Sequence, residues 1–388
     1  MRISLQHSVI ATEHSEEYSV TVAPQGPCTD CETQHDASPA FRFRFQPPKA
    51  GRSSMDQLQL RLENQVSPVA EHVSALVAVV RPILVGAVYS LKADVVNEAG
   101  GYDGVRLRML PRLYRRGDGD CGICFEYAVH DALARKDSVV TERVSDALIN
   151  YCKVPGQQIS SILFGAEKSG PVKLIETAKD VLTKDSSLLY GSRGRPVKLM
   201  KHIDSVAAAF RRHSERLALP HSISGLWKAD LFVGNTDSDR WVGTSVKINP
   251  HQLEGARGLR VGVVPSRQGR SDAIQKDDQR NLVICPLPYD GAFMEVFYSG
   301  WGIVQQFIEA DANMPREVAL PLPADRTVAK MLVDRRDFPV LEVLDALLPL
   351  AQPELLSTME KYVHIFERRK GTPTIGAAVA PIARKMDA

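Results

Sequence analysis

The segment at residues 226–249 constrains the fold more than any other part of the chain. Two apolar stretches flank a polar stretch at residues 235–240, a pattern that predicts a β-hairpin. With the turn centred in the polar stretch, facing residues have a constant sum of positions, so Asp230 lies opposite Ser245. Side chains alternate along a strand, and Lys247 therefore shares the face of both residues. The predicted hairpin brings a carboxylate and an ammonium together on one face of a sheet.

The other face of this hairpin is predicted to be apolar, since Val242, Val246 and Ile248 would pack there. An Asp beside a Lys suits metal-assisted hydrolysis of a phosphodiester. The carboxylate binds Mg²⁺ through oxygen, the metal lowers the pKa of a bound water, and the Lys orients that water or stabilises developing charge. The alternative is an edge hairpin that carries a surface ion pair.

A second acid, Glu126, lies on a predicted helix that follows Gly122 and is otherwise largely apolar, as at Phe125. With these residues the chain resembles the PD-(D/E)XK nuclease superfamily. In that family a glycine precedes a core helix that carries a Glu, and a strand Asp and an acid-x-Lys strand follow. Glu126, Asp230 and Lys247 match those roles in order.

The resemblance implies an α/β fold of the restriction-endonuclease-like class, with a mixed central sheet flanked by helices. It implies a Mg²⁺- or Mn²⁺-dependent endonuclease that hydrolyses DNA in restriction or antiviral defence, as a homodimer or with a partner subunit. Glu126 and Asp230 would ligate the metal, and Lys247 would position the attacking water. None of these roles involves a membrane.

One position departs from the family pattern. Ser245 stands where the family has Asp or Glu, as in a subset of restriction endonucleases that carry Ser-Val-Lys on this strand. Glu126, or less readily Glu254, would then supply the missing acid, and Ser245 would contribute a hydrogen bond. The same departure supports an alternative, a catalytically inactive nucleic-acid-binding or scaffold protein of this fold.

Contacts with DNA phosphates must come from local basic clusters, because 48 Lys and Arg against 46 Asp and Glu leave a net charge of only +2. Six arginines in two clusters are the candidates: Arg193, Arg195, Arg257, Arg260, Arg267 and Arg270.

The cysteines raise two further hypotheses. The stretch Cys121-Gly-Ile-Cys124 resembles the sequence around the papain nucleophile, which would make Cys124 the nucleophile and His251 the base of a cysteine peptidase. Ile123 replaces a small residue of that motif. Separately, two CxxC pairs have the stoichiometry of a structural zinc site; they are Cys28, Cys31, Cys121 and Cys124. Thiols without a metal are the alternative.

The pattern of apolar residues along the chain predicts one core with additional segments attached to it. The predicted regions are a strand-rich segment at 1–54, a helical region with the first part of the core at 55–139, a helical insertion at 140–225, a catalytic sheet at 226–300 and a C-terminal helical region with a loose tail at 301–388.

A cytoplasmic location is predicted. The first residues show no apolar centre or cleavage pattern typical of a secretory signal. The most apolar stretch, residues 73–91, is interrupted by Arg81 and Pro82, which favours a buried helix pair or a broken helix over a membrane span.

Overall fold

The structure is a computed structural model that describes 71–113, 121–164, 178–190, 195–289 and 292–351 in full. It also describes the backbone of 42–43, 57–62, 68–70, 119–120, 362–367 and 378–379. All of these residues belong to one compact unit, Arg42–Ala388.

The described helices and strands occur in runs along the chain. The α-helices are α1 Pro68–Tyr89, α2 Ala93–Glu98, α3 Gly119–Ala134, α4 Ser138–Asp146, α5 Ile203–Arg211, α6 Ala292–Glu309, α7 Pro323–Asp334 and α8 Val340–Leu347. The strands are β1 Arg42–Phe43, β2 Gln57–Leu62, β3 Ile159–Leu163, β4 Ser187–Leu188, β5 Val197–Lys198, β6 Leu231–Asn235, β7 Arg240–Val246, β8 Leu259–Pro265, β9 Gln275–Asp277, β10 Leu282–Leu287, β11 Tyr362–Glu367 and β12 Ala378–Val379. A π-helical turn, Ala147–Tyr151, follows α4. Short 3₁₀ turns occur at Tyr102–Gly104, Leu107–Leu113, Leu199–Lys201, His213–Ala218, His221–Ile223, Leu226–Lys228, Pro250–Gln252 and Pro349–Ala351.

A mixed eight-stranded sheet organises the fold. Its main path is β3-β6-β7-β8-β10-β9, and β4 and β5 attach beside β7. Strand β6 pairs antiparallel with β3 and β7, whereas β8 is parallel to both β7 and β10. A smaller antiparallel sheet has the order β1-β2-β11-β12. The chain is therefore α/β with a mixed sheet flanked by helices.

The predicted hairpin and its register are confirmed. Leu231 faces Thr244 and Asn235 faces Arg240, so the next pair outward is Asp230 with Ser245. The turn is short and polar, and Asp239 takes a positive φ of 49° there, a conformation that Asp tolerates better than most residues.

Both faces of the hairpin are buried, which differs from the predicted single apolar face. One face joins a first core that includes Leu231, Val233 and Val242 together with residues of α1, α3 and α6. The other joins a second core that includes Phe232 and Trp241 together with residues of α5. Central strands of a mixed sheet are covered on both sides, so their sequences are apolar almost throughout.

Helix α1 is one continuous helix, not the predicted broken one. Pro82 lies inside it and removes one backbone donor, but α3, α6, α7 and α8 all pack against α1 and hold it. Arg81 Nε donates to the carbonyl of Leu344 at 3.1 Å, which gives its charged end a partner. In the described part of the chain this is the single helix apolar and long enough to cross a membrane. Of its apolar window, 72% is buried inside the protein, as in a core helix.

Three regions differ from the predicted pattern of elements. Strand β2 lies in the stretch expected to be helical from residue 55. The expected helical insertion at 140–225 contains α4 and α5 but also β3, which pairs with β6 in the main sheet. Strand β11 lies in the expected C-terminal helical region. These strands are short, and pairing with neighbours decides their conformation more than their own sequence does. Apart from β1, the strand-rich segment predicted at 1–54 lies outside the described residues.

Candidate active site

Asp230 is fixed at the open end of the β6–β7 hairpin. Its side chain is buried, and its Oδ2 accepts three hydrogen bonds. The donors are Ser245 Oγ at 3.1 Å, the backbone N–H of Val246 at 2.9 Å and Lys247 Nζ at 2.7 Å. A backbone donor, a hydroxyl and a cation together stabilise the ionised carboxylate and hold it in one orientation.

Glu126 reaches the same lysine from the opposite side. It lies in the middle of α3, whose apolar side chains pack into the first core. Glu126 is 7% exposed, and its Oε1 accepts a hydrogen bond from Lys247 Nζ at 3.0 Å. A buried carboxylate is costly unless it has such a partner. The ammonium therefore joins α3 to the end of β7.

Lys247 remains charged in this environment. Burial lowers the pKa of its ammonium, whereas the carboxylates of Glu126 and Asp230 raise it, and the net effect is a pKa above the usual value. Both carboxylates contact this same ammonium, so the three side chains form one cluster.

The cluster fits a magnesium-type ion better than a zinc-type ion. In the described ranges no group of three or more His, Cys, Asp or Glu is close enough to form a metal site of its own. Mg²⁺ commonly uses one or two protein carboxylates and completes its coordination with water and substrate phosphates. Glu126 and Asp230 supply two carboxylates that both contact Lys247, so the residues present fit that ion.

The two other residues predicted to contribute to the active site, Ser245 and Glu254, have different roles. The Ser245 hydroxyl donates to Asp230. Glu254 is exposed and pairs with Lys228, and its pKa is lowered mainly by Lys228 and to a smaller extent by Lys247. Glu254 therefore lies within the electrostatic reach of Lys247 but is engaged by another lysine.

A polar neighbour of the cluster was not predicted. His130 lies one helical turn after Glu126, and its Nδ1 is 2.7 Å from Ser161 Oγ on β3. Burial lowers the pKa of His130, while Asp131 acts in the opposite direction. The i, i+4 spacing from Glu126 was the available signal, because residues four apart share one face of a helix.

The predicted arginines divide into exposed and structural ones. Arg193 lies outside the described residues, and Arg195 and Arg270 are exposed. Arg260 is half-buried and donates to the carbonyl of Asn281 at 2.9 Å, which is a structural contact.

Arg257 and Arg267 are both exposed and lie beside a cleft of about 1040 Å³. Arg257 lines the cleft and contacts His221, and Arg267 contacts His251 on its rim. The sequence pattern indicated His251 only as a peptidase base, and no motif in the sequence indicated this cleft.

The peptidase pair is not assembled. Cys124 is completely buried in α3, and its Sγ donates to the carbonyl of Ile83 at 3.3 Å. His251 is exposed and contacts Arg267. Cys121 is also buried, while Cys28 and Cys31 lie outside the described residues, so the zinc site stays a prediction.

No protein-family model matches the chain, and no curated protein or solved structure matches it either. The function is therefore argued from the geometry and charges of the site.

Proposed function

We propose that the chain is a metal-dependent endonuclease that hydrolyses DNA phosphodiester bonds at the cluster of Glu126, Asp230 and Lys247. The observation that carries this proposal is the contact of the Lys247 ammonium with two buried carboxylates, one from a helix and one from a hairpin. The order of a Glu helix, an Asp strand and a Lys strand is the order that the PD-(D/E)XK resemblance implies. We extend the proposal to a restriction-endonuclease-like core on that basis.

Each side chain has a defined part in the proposed reaction. Glu126 and Asp230 would hold Mg²⁺ or Mn²⁺, which when bound lowers the pKa of a water and polarises the phosphate. Lys247, kept protonated by both carboxylates, orients a water and stabilises negative charge that develops on the phosphate oxygens. Ser245 and the Val246 N–H hold Asp230 in position.

The same resemblance suggests a role in restriction or antiviral defence, in the cytoplasm, as a homodimer or with a partner subunit. DNA is the proposed partner, and the exposed Arg195, Arg257, Arg267 and Arg270 would contact its phosphates.

A second candidate function is DNA binding or scaffolding without cleavage. It is favoured by Ser245, whose hydroxyl occupies the position of an acid and donates to Asp230. In this case Lys247 serves only as the counter-ion that makes two buried carboxylates tolerable.

Cleavage of supercoiled plasmid DNA tests the proposal. We expect the wild-type protein to cut plasmid with Mg²⁺ but not with EDTA, and Lys247→Met to lower the rate by about 100-fold or more, because the water and the developing charge lose their cation. The matched control is Lys276→Ala, which removes an exposed lysine that pairs with Asp278. Cleavage by Lys247→Met at the wild-type rate would contradict the assignment.

Thermal melting separates chemistry from folding in the same variant. Lys247→Met removes the ammonium that contacts both buried carboxylates, a change that typically costs about 3–5 kcal/mol of stability. We expect Mg²⁺ to raise its melting temperature more than that of the wild type, since the ion replaces the lost charge. Absence of any Mg²⁺ effect on either protein would argue against the metal site. DNA binding without cleavage would favour the second candidate.

A further inference from the structure

A cleft is lined in part by the chain segment that follows Lys247. Lys247 follows β7, and the segment after it, which includes His251, Glu254 and Arg257, forms one wall of the cleft. Tyr190 and His221 line other parts of it. Its volume of about 1040 Å³ is close to the upper end of the range typical of small-ligand sites, so it accommodates a few nucleotides but not a duplex.

The charges around the cleft leave two cations without a carboxylate. Glu254 is matched by Lys228, and Arg280 is matched by Asp277 at 3.5 Å. The side chain of Arg257 instead contacts an imidazole, with Nη1 2.7 Å from His221 Nδ1.

Arg267 repeats this arrangement with His251. Within the described part of the chain, neither Arg257 nor Arg267 forms a salt bridge. An imidazole that accepts a hydrogen bond supplies no negative charge, so each guanidinium keeps its charge and most of its five donors for an anion.

Aromatic rings accompany these cations. Tyr190, His221 and His251 all line the cleft. Tyr190 is held in place at two points, because its hydroxyl donates to the carbonyl of Arg195 at 3.1 Å and its own carbonyl accepts from Asn281 Nδ2 at 3.0 Å. Cations that track a backbone beside rings on which bases stack are the usual elements of a single-strand binding site.

We infer that the cleft binds a short stretch of a single nucleic-acid strand, with phosphates on Arg257 and Arg267 and bases against Tyr190, His221 and His251. The inference rests on the proposed function in one respect, that the bound strand leads to Lys247. If so, the substrate of the candidate active site is a nucleic-acid strand that is unpaired beside the bond to be cleaved.

Binding of labelled oligonucleotides in EDTA tests the inference without any cleavage. The probes are a fluorescein-labelled 12-nucleotide DNA strand and a duplex of the same length, measured by fluorescence anisotropy with the full chain. We expect the single strand to bind more tightly than the duplex. Arg257→Ala with Arg267→Ala should weaken single-strand binding by about tenfold and reduce the salt slope by about 1.4, because two phosphate contacts are lost. The matched control is Arg316→Ala, which removes an exposed arginine outside the cleft. This variant should bind the single strand as tightly as the wild type does.

The outcomes separate this inference from the proposed function. Equal binding by the double variant and the control, or tighter binding of the duplex, would overturn the inference and leave plasmid cleavage as an independent question. Single-strand binding that depends on both arginines, in a protein that never cuts plasmid DNA, would support the cleft and contradict the nuclease.

Discussion

At the scale of the residue, Lys247 decides whether two buried carboxylates can coexist. Its Nζ lies 2.7 Å from Asp230 and 3.0 Å from Glu126, and its side chain is 26% exposed. An ammonium at these distances offsets the desolvation of both acids, but it does so only while it is protonated.

The pH dependence of stability follows from this protonation. Folding raises the Lys247 pKa above the usual 10.5, so its contribution is complete below that pH and is lost as the pH rises through the folded pKa. We expect the difference in free energy of unfolding between wild type and Lys247→Met to stay constant from pH 7 to about 10 and to shrink above it. Urea titrations at several pH values measure this difference. A difference that already shrinks between pH 7 and 9 would contradict a raised pKa.

Much of this cluster could be predicted from the sequence, because strand pairing obeys simple arithmetic. Asp230, Ser245 and Lys247 follow from the hairpin register alone. Glu126 followed from a family resemblance, since nothing local indicates which strand a helix will contact. The His130–Ser161 contact depends on how α3 packs against β3, and no pattern within either segment encodes that packing.

At the scale of the element, glycines set the distance between β7 and the segment before β8. A Cβ at Gly243 would lie 2.7 Å from the carbonyl oxygen of Gly258 and 2.6 Å from Leu226 Cδ1. The pairing of β7 with β8 shifts register at this point. The close approach keeps the strand that ends at Lys247 in its place in the sheet.

Two glycine substitutions should have opposite effects. Gly243→Ala forces a backbone atom to move, and we expect it to destabilise the fold by about 1–3 kcal/mol. Gly302→Ala places a methyl group in open space within α6, and we expect it to stabilise by about 0.5–1 kcal/mol. Urea unfolding measures both changes. If both substitutions changed the free energy of unfolding by the same amount, the backbone around Gly243 would have room for a Cβ atom.

The elements themselves were predictable to different degrees. Strands β6 and β7 carry apolar runs on either side of a polar turn, and the predicted hairpin located both; β8 and β10 lie within the catalytic sheet predicted at 226–300. Strand β3 is short and contains two serines, so its conformation depends on pairing with β6. Helix α1 was expected to break at Pro82, because the packing that surrounds it is not visible in its own sequence.

At the scale of the whole molecule, the sheet separates two cores, and α1 is central to the first of them. We expect Leu84→Ala, which removes a fully buried side chain of α1, to cost about 2–5 kcal/mol of stability. The matched control is Leu217→Ala at a side chain that is 89% exposed, with an expected change within about 0.5 kcal/mol. Urea unfolding distinguishes the two, and a small effect at Leu84 would mean that the first core can collapse around the cavity.

The cluster joins Glu126 to Lys247 across 121 positions of sequence. At a synthesis rate of about 5–20 residues per second, the ribosome adds Lys247 roughly 6–24 seconds after Glu126. During that interval Glu126 lacks the Lys247 ammonium, which favours a hydrated, undocked helix. A nascent or prematurely terminated chain therefore contains no complete cluster, and fragments released during translation lack the centre on which the proposed chemistry depends.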